Sequence, residues 1–399
     1  MRNKIRNFTR TLFRYLYFRM VRLFDLVLNS NKPPFPLENV NTILFVEVQD
    51  IGDTIIASPC IRQIRKRFPN ATLHMLVQSK SLDMVRYNPN LDQAFGVDNI
   101  TSYVQLFRVS SEYRKKHYDL VISLSPSVRN NMIATLSGGK IISGYLNDLY
   151  FLPTNFHDHP IEVRGFSPPQ EVTYYKEEPL RIRALKTAAP FGVDLMDYVN
   201  TELVLPEESR LFSDTFLKKH HFQIDHLLVG LHPVCLNAFR NWPPEKFAEL
   251  GDRLVEHFRN TNIFLIGTGE DKETLDFIIS LMKHKDHVIC DTTLSLLQTS
   301  SIIHRCDVLV GMDSCPSDIS GALKIPTVHM HGPTDPKVTG PGGFKNFPVT
   351  QGILCSPCGL NIHFCPYDNR CMKELDVSKV LDATIRAIEK YSPKKIHHA

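Results

Sequence analysis

Four stretches of this 399-residue chain hold residue types that could do chemistry. The first is Asp50-Ile51-Gly52-Asp53-Thr54, straight after a short apolar run. A glycine there lets backbone approach a ligand and opens a helix N-terminus that can hold an anion or a hydroxyl. The Asp53 carboxylate, just past a strand's end, could take a proton from a substrate hydroxyl. The plainer alternative is that Asp53 caps the following helix. The second stretch is His232-Pro233 followed by Arg240-Asn241-Trp242-Pro243. A cation there could neutralise the phosphates of a leaving group, with the single tryptophan anchoring the turn. Spacing alone leaves open a packed Trp242 beside a solvated Arg240.

The third stretch runs Gly311-Met312-Asp313-Ser314-Cys315-Pro316-Ser317-Asp318, followed later by His331-Gly332-Pro333-Thr334-Asp335-Pro336. A strand leading into small and hydroxyl residues and then a helix offers backbone N–H groups and a favourable dipole to a diphosphate. Two such turns side by side carry more weight than one glycine motif, although ordinary strand-to-helix turns capped by Asp313 or Ser314 would look the same. The fourth stretch holds Cys355, Cys358, Cys365 and Cys371. Four thiols so close in sequence could bind one structural zinc tetrahedrally, though the second pair is spaced more widely than usual; a packed loop is the alternative.

Strand and helix patterns that would position these residues alternate along two halves. In the first, Ile43–Val46, Ala71–Val77 and Leu120–Leu124 read as buried strands, with a helix over Pro59–Phe68. In the second, Leu227–Leu231, Ile263–Ile266, Val308–Val310 and Thr327–Met330 read as strands, with helices over Glu245–Arg259 and from about Lys272. Buried strands separated by helices indicate repeated βαβ units and parallel sheets. Residues 149–176, rich in Pro, His and aromatics, interrupt the rhythm and read as a long loop. The expected organisation is an N-terminal extension (1–36), a first Rossmann-like domain (37–205), a hinge (206–225) and a second Rossmann-like domain (226–399). Two such α/β domains facing across a cleft would bind ligands beyond the carboxyl ends of their strands.

Composition sets limits. With 43% hydrophobic and 22% charged residues the chain is neither disordered nor collagen-like. It has no run of about 18 uncharged apolar residues, so no membrane-spanning helix is expected. Nine cysteines without a secreted spacing, and no leader with a small-residue cleavage site, favour the cytoplasm. Charge is uneven: residues 1–32 carry eight Lys/Arg against Asp25, a balance of +7, whereas the rest balances at −3. A body of that charge argues against nucleic-acid binding. Basic residues interleaved with Phe8, Phe13, Tyr15, Tyr17, Phe18 and Phe24 suit the headgroup region of an anionic bilayer, so attachment to the inner membrane surface is expected; a helix packed on the body is the alternative.

Taken in order, the segments resemble glycosyltransferase family 9, the GT-B family of the lipopolysaccharide heptosyltransferases. The resemblance spans about Thr42 to Lys390. It rests on Ile51-Gly52-Asp53, Phe68-Pro69-Asn70-Ala71, Tyr118-Asp119-Leu120-Val121, Gly230-Leu231-His232-Pro233, Arg240-Asn241-Trp242-Pro243 and Gly267-Thr268-Gly269-Glu270. Cys306-Asp307, Gly311-Met312-Asp313-Ser314, His331-Gly332-Pro333-Thr334-Asp335-Pro336 and the late cysteines complete it. It implies transfer of a sugar, heptose in the best-known members, from a nucleotide-diphosphate donor such as ADP-heptose to a lipopolysaccharide core or other lipid-linked saccharide, with inversion. It also implies Asp53 as general base, with Arg240, Glu270, Asp313, Ser314 and Asp318 binding the donor. No cofactor is required when a cation and a helix end meet the diphosphate; the acceptor contacts stay unassigned.

Four positions depart from the pattern. Cys315 stands where Gly is usual, Asp318 where His is usual, Glu47 where a basic residue is common, and Ser123 where an acid is common. Cys315 and Asp318 keep a second reading open, a catalytically impaired sugar-nucleotide-binding or assembly protein on the same fold.

Overall fold

The computed structural model describes residues 34–145, 159–166, 168–169, 171–175, 177–223, 225–359 and 365–392. These fall into two compact units that part between Val199 and Asn200. The basic segment 1–32 and, of the expected loop, residues 149–158, 167, 170 and 176 lie outside the described residues.

The first unit is built on β1 (Thr42–Glu47), α1 (Ile51–Ile56), α2 (Ser58–Arg67), β2 (Thr72–Gln78), β3 (Gln93–Val97), α3 (Tyr103–Arg114), β4 (Leu120–Ser123), α4 (Val128–Leu136), β5 (Ile141–Gly144), β6 (His159–Arg164), β7 (Val172–Tyr174) and α5 (Leu180–Lys186). Its sheet runs β3-β2-β1-β4-β5-β6-β7. The first five strands are parallel, and β6 and β7 are antiparallel additions. In β1 the apolar run serves both faces: Ile43 and Phe45 enter one core, Leu44 and Val46 the other, and all four are fully buried. Each is worth about 1.5–3 kcal/mol of burial, which is why β1 occupies the centre.

The stretch read as a long loop is partly strand. Ile161 packs with Tyr145 and Tyr174, and Val163 packs on the main core. Intervening Pro, Glu and Arg residues hide this short alternation in the sequence.

The second unit comprises α6 (Glu207–Lys219), β8 (Leu227–His232), α7 (Pro244–His257), β9 (Thr261–Leu265), α8 (Lys272–Leu281), β10 (Val288–Cys290), α9 (Leu296–Ile303), β11 (Val308–Met312), α10 (Cys315–Ala322), β12 (Thr327–His331), α11 (Pro336–Thr339), β13 (Asn346–Thr350) and, after a further short helix, α12 (Val377–Tyr391). Its sheet is wholly parallel in the order β10-β9-β8-β11-β12-β13, the doubly wound arrangement. Residues 206–225, expected as a hinge, include a helix of this unit: Phe216 of α6 meets Phe264 edge-on at 6.4 Å. In α7, Pro244 starts the helix without sacrificing a needed N–H, and Phe247, Leu250, Leu254 and Val255 form the buried stripe.

Both sheets are fastened at their amino ends by an aspartate. Asp119 Oδ2 accepts from the backbone N–H groups of Asn41 (2.9 Å) and Thr42 (3.0 Å), while Lys140 Nζ reaches its Oδ1 at 2.7 Å. Asp307 takes the N–H of Leu228 (2.9 Å) and the hydroxyl of Ser392 (2.9 Å). Two motifs that carried the family resemblance thus hold strands in register, at the end of the sheet opposite the candidate chemistry.

Candidate active site

Each sheet reverses its winding beside its central strand, between β1 and β4 in the first unit and between β8 and β11 in the second. Ligands of open α/β sheets bind beyond the carboxyl ends of strands at such points, and most of the sequence-derived candidates gather there.

In the first unit Asp53 is the third residue of α1, so it is not the cap. Asp50 occupies the cap position, and its carboxylate pairs with Lys80 at 2.8 Å instead of capping. Asp53 Oδ1 accepts a short charged hydrogen bond from Arg183 Nη2 of α5. Glu47, the last residue of β1, is 1% exposed, and its Oε1 accepts from Ser125 Oγ and Asn130 Nδ2, both at 3.0 Å. Burial first, and then the Asp53 charge, push the Glu47 carboxyl up to about 8 against the pull of Arg183, Asn130 and Ser125. Burial alone would weaken the charge of Arg183. The carboxylates of Asp53 and Glu47 outweigh it, with the phenols of Tyr145 and Tyr174 adding to them, and hold the guanidinium above its ordinary value. No sequence signal pointed to Arg183, since it lies 130 positions from Asp53.

In the second unit the loop after β8 is shaped by two asparagines. The Cys235 N–H donates to Asn241 Oδ1 at 2.8 Å, and the Phe239 N–H donates to Asn237 Oδ1 at 3.1 Å, closing the turn Ala238–Arg240. Trp242 is a packing residue, with its Nε1–H on the Leu375 carbonyl at 3.0 Å and its ring against Phe247. Arg240 is not merely solvated. Its Nη1 donates to the Asp313 carbonyl at 3.1 Å and stands 3.4 Å from Asp313 Oδ2. The same Oδ2 accepts from Thr339 Oγ1 of α11 at 2.9 Å, a partner the sequence did not suggest.

Ser314 precedes α10 as its cap residue, but its hydroxyl makes no cap bond and lies 3.1 Å from His232 Nδ1. The two strands come close here: a Cβ added at Gly311 would lie 3.0 Å from the His232 Cβ. Burial pushes the His232 imidazole down to about 4, against the opposing field of Asp271. His331, at the end of β12, is pushed down to about 3 by burial and then by Arg240. Both rings are neutral at pH 7, so they offer hydrogen bonds without charge.

The start of α10 offers fewer backbone donors than expected. Pro316 has no N–H, and the Ser317 N–H donates to the Ser314 carbonyl at 2.9 Å. Asp318 lies half-buried in the first turn of α10. Glu270 sits in the exposed turn Gly269–Asp271 after β9, where its neighbour Asp271 takes the capping role for Thr268.

Among the described residues no three His, Cys, Asp or Glu side chains are arranged to hold a metal ion, and zinc at the late cysteines stays an expectation. All four thiols are free, and three face other partners. Cys358 Sγ lies 3.9 Å from the Pro333 carbonyl, the Asn369 N–H points to Cys365 Sγ at 3.4 Å, and Cys371 Sγ lies 3.7 Å from Asn369 Oδ1. Nor is any helix among the described residues long and apolar enough to cross a membrane.

Two Rossmann-like domains, each with polar groups collected at its switch point, define the GT-B class of glycosyltransferases. Comparison with known proteins agrees. The model of glycosyltransferase family 9 (heptosyltransferase) matches residues 106–359, and the chain belongs to that family and is a glycosyltransferase. It is 22% identical over 307 residues to lipopolysaccharide heptosyltransferase 3 of Escherichia coli, covering 71% of this chain and 81% of that protein. A family 9 glycosyl transferase structure from Veillonella parvula has a TM-score of 0.74 at 20% identity, covering 90% of this chain and 99% of that one. The structure of ADP-heptose lps heptosyltransferase II of E. coli follows with a TM-score of 0.68 at 16% identity, covering 88% and 99%.

Proposed function

We propose that this glycosyltransferase moves a heptose from ADP-heptose to a lipopolysaccharide core or other lipid-linked saccharide, inverting the anomeric centre, at the inner face of the cell membrane. Its likeness to lipopolysaccharide and ADP-heptose heptosyltransferases supports the sugar, the nucleotide and the acceptor class. The observation that carries the chemistry is the partnering of Asp53: its Oδ1 is held by Arg183, while a quarter of its side chain stays open to solvent. Oδ2 is then the base oxygen.

The acceptor hydroxyl attacks the anomeric carbon, a new C–O bond forms, and the proton passes to Asp53 Oδ2. The bond to the diphosphate breaks, and its electron pair leaves with ADP. Arg240 answers the charge on that leaving group, while neutral His232 can donate an N–H bond without competing for a proton. Asp313 and Thr339 keep Arg240 in place; Ser314, Asp318 and Glu270 serve the sugar and nucleoside hydroxyls. The +7 segment at residues 1–32 holds the enzyme against anionic lipid, where a lipid-linked acceptor is found.

A thermal-shift screen against nucleotide sugars tests the donor. A ligand bound only to the native state stabilises it by about 2.7 kcal/mol at 100 times its Kd, so ADP-heptose is expected to raise Tm more than UDP- or GDP-sugars. A larger response to another sugar would replace the donor. The second reading, binding without turnover, draws on the reduced donor count at α10, where Pro316 stands. Under it, Tm rises with donor but no ADP appears on adding acceptor.

A further inference from the structure

Arg183 reaches the candidate base from a remote part of the chain, and the fold holds it firmly. Its own carbonyl accepts from Tyr145 Oη at 2.6 Å, and Tyr145 is fully buried and packed edge-on against Tyr174. Two positions further, Leu185 is fully buried in the main core, and Thr187 accepts through its carbonyl from Ser143 Oγ at 2.6 Å. The helix carrying Arg183 is therefore anchored on both sides, so the guanidinium has little freedom to leave Asp53. Its Nε is buried without a hydrogen-bond partner among the described residues. A desolvated cation in that state depends on its carboxylates.

Glu47 closes β1, the strand that leads into α1. Its Oε1 already accepts from Ser125 and Asn130, so the acid proton belongs on Oε2. Asn130 in turn accepts from the Val48 N–H at 3.0 Å, tying this acid to the backbone just ahead of Asp53. The charged or titratable groups facing Glu47 are Asp53 of α1 and Arg183 of α5, with Tyr145 and Tyr174 facing Arg183 from β5 and β7.

We infer that Arg183 is the positioning residue for the base, fixing Asp53 Oδ1 so that Oδ2 faces the acceptor hydroxyl. The inference rests on the proposed role of Asp53 in sugar transfer. At pH 7 Glu47 is neutral, and Arg183 is committed to Asp53.

The test uses the full-length protein, ADP-heptose and heptose-deficient lipopolysaccharide, with ADP release as the readout. Arg183→Met is expected to lower kcat by about 10- to 100-fold, the usual loss for a misplaced catalytic group, while the KM for ADP-heptose stays within about twofold. Arg183→Lys should recover part of the loss, and added guanidinium should restore turnover to Arg183→Met. A purely structural role would show lowered Tm and no guanidinium rescue, and would overturn the inference. Wild-type kcat in Arg183→Met, with turnover abolished in Asp53→Ala, would overturn it alone. Turnover surviving in Asp53→Ala would instead sink the reading it rests on.

Discussion

Arg240 Nη1 stands 3.4 Å from Asp313 Oδ2 and hydrogen-bonds the Asp313 carbonyl at 3.1 Å, linking the loop after β8 to the end of β11. Residues 73 positions apart in sequence thus set a cation at the switch point of the second sheet. If that cation serves the donor diphosphate, Arg240→Ala raises the KM for ADP-heptose by about tenfold or more and leaves the acceptor KM nearly unchanged. Steady-state kinetics with each substrate varied in turn checks this. Equal losses for both substrates would count against a phosphate role.

Asp53→Asn keeps the shape of the side chain and an oxygen for Arg183 to bond, but it removes the proton acceptor. Turnover is expected to fall by about 100-fold or more, with donor-induced stabilisation in a thermal shift preserved. Near-native rates in this variant would remove Asp53 from the chemistry.

Deleting residues 1–32 takes away a charge of +7 together with the aromatic side chains among it. At roughly 1 kcal/mol per basic residue near an anionic surface, the truncated protein should no longer float with vesicles rich in phosphatidylglycerol. Intact protein should float, and high salt should release part of it. Equal flotation of both forms rejects the membrane role of this segment.

Glu47 makes stability depend on pH. Its folded-state carboxyl is raised to about 8 from an ordinary value of 4.5, so between these limits the native state holds a proton that the unfolded chain does not. The stabilisation is complete below the lower value and is lost as pH rises through the upper one, at no more than about 1.4 kcal/mol per pH unit. Chemical denaturation at pH 5, 6.5 and 8 should therefore show falling stability, and Glu47→Gln should flatten that fall. A slope unaltered by the substitution would mean that another group carries the proton.

The centre of each sheet was legible from the sequence, and the edges were not. β1, β4, β8 and β11 are covered on both faces, so their residues form continuous apolar runs. The edge strand β3 (Gln93–Val97) is only partly buried and mixes Gln and Gly into its run, while β10 is three residues long. Neither leaves a pattern long enough to recognise. The same contrast holds at the site. Asp53, Arg240, Asp313 and Ser314 stood out because each follows directly on a recognisable strand or sits in an ordered motif.

What the sequence determined alone was the alternation of buried strands with helices, the family, and the candidate acid and cation that follow the strands, because local runs of apolar and polar side chains encode them. The tertiary structure decided their chemical surroundings. Only folding sets Arg183 against Asp53, removes Glu47 from water, places Thr339 on Asp313 and keeps His232 and His331 neutral. Charge state and hydrogen-bond partner depend on distance and burial, and neither is a property of any one stretch of chain.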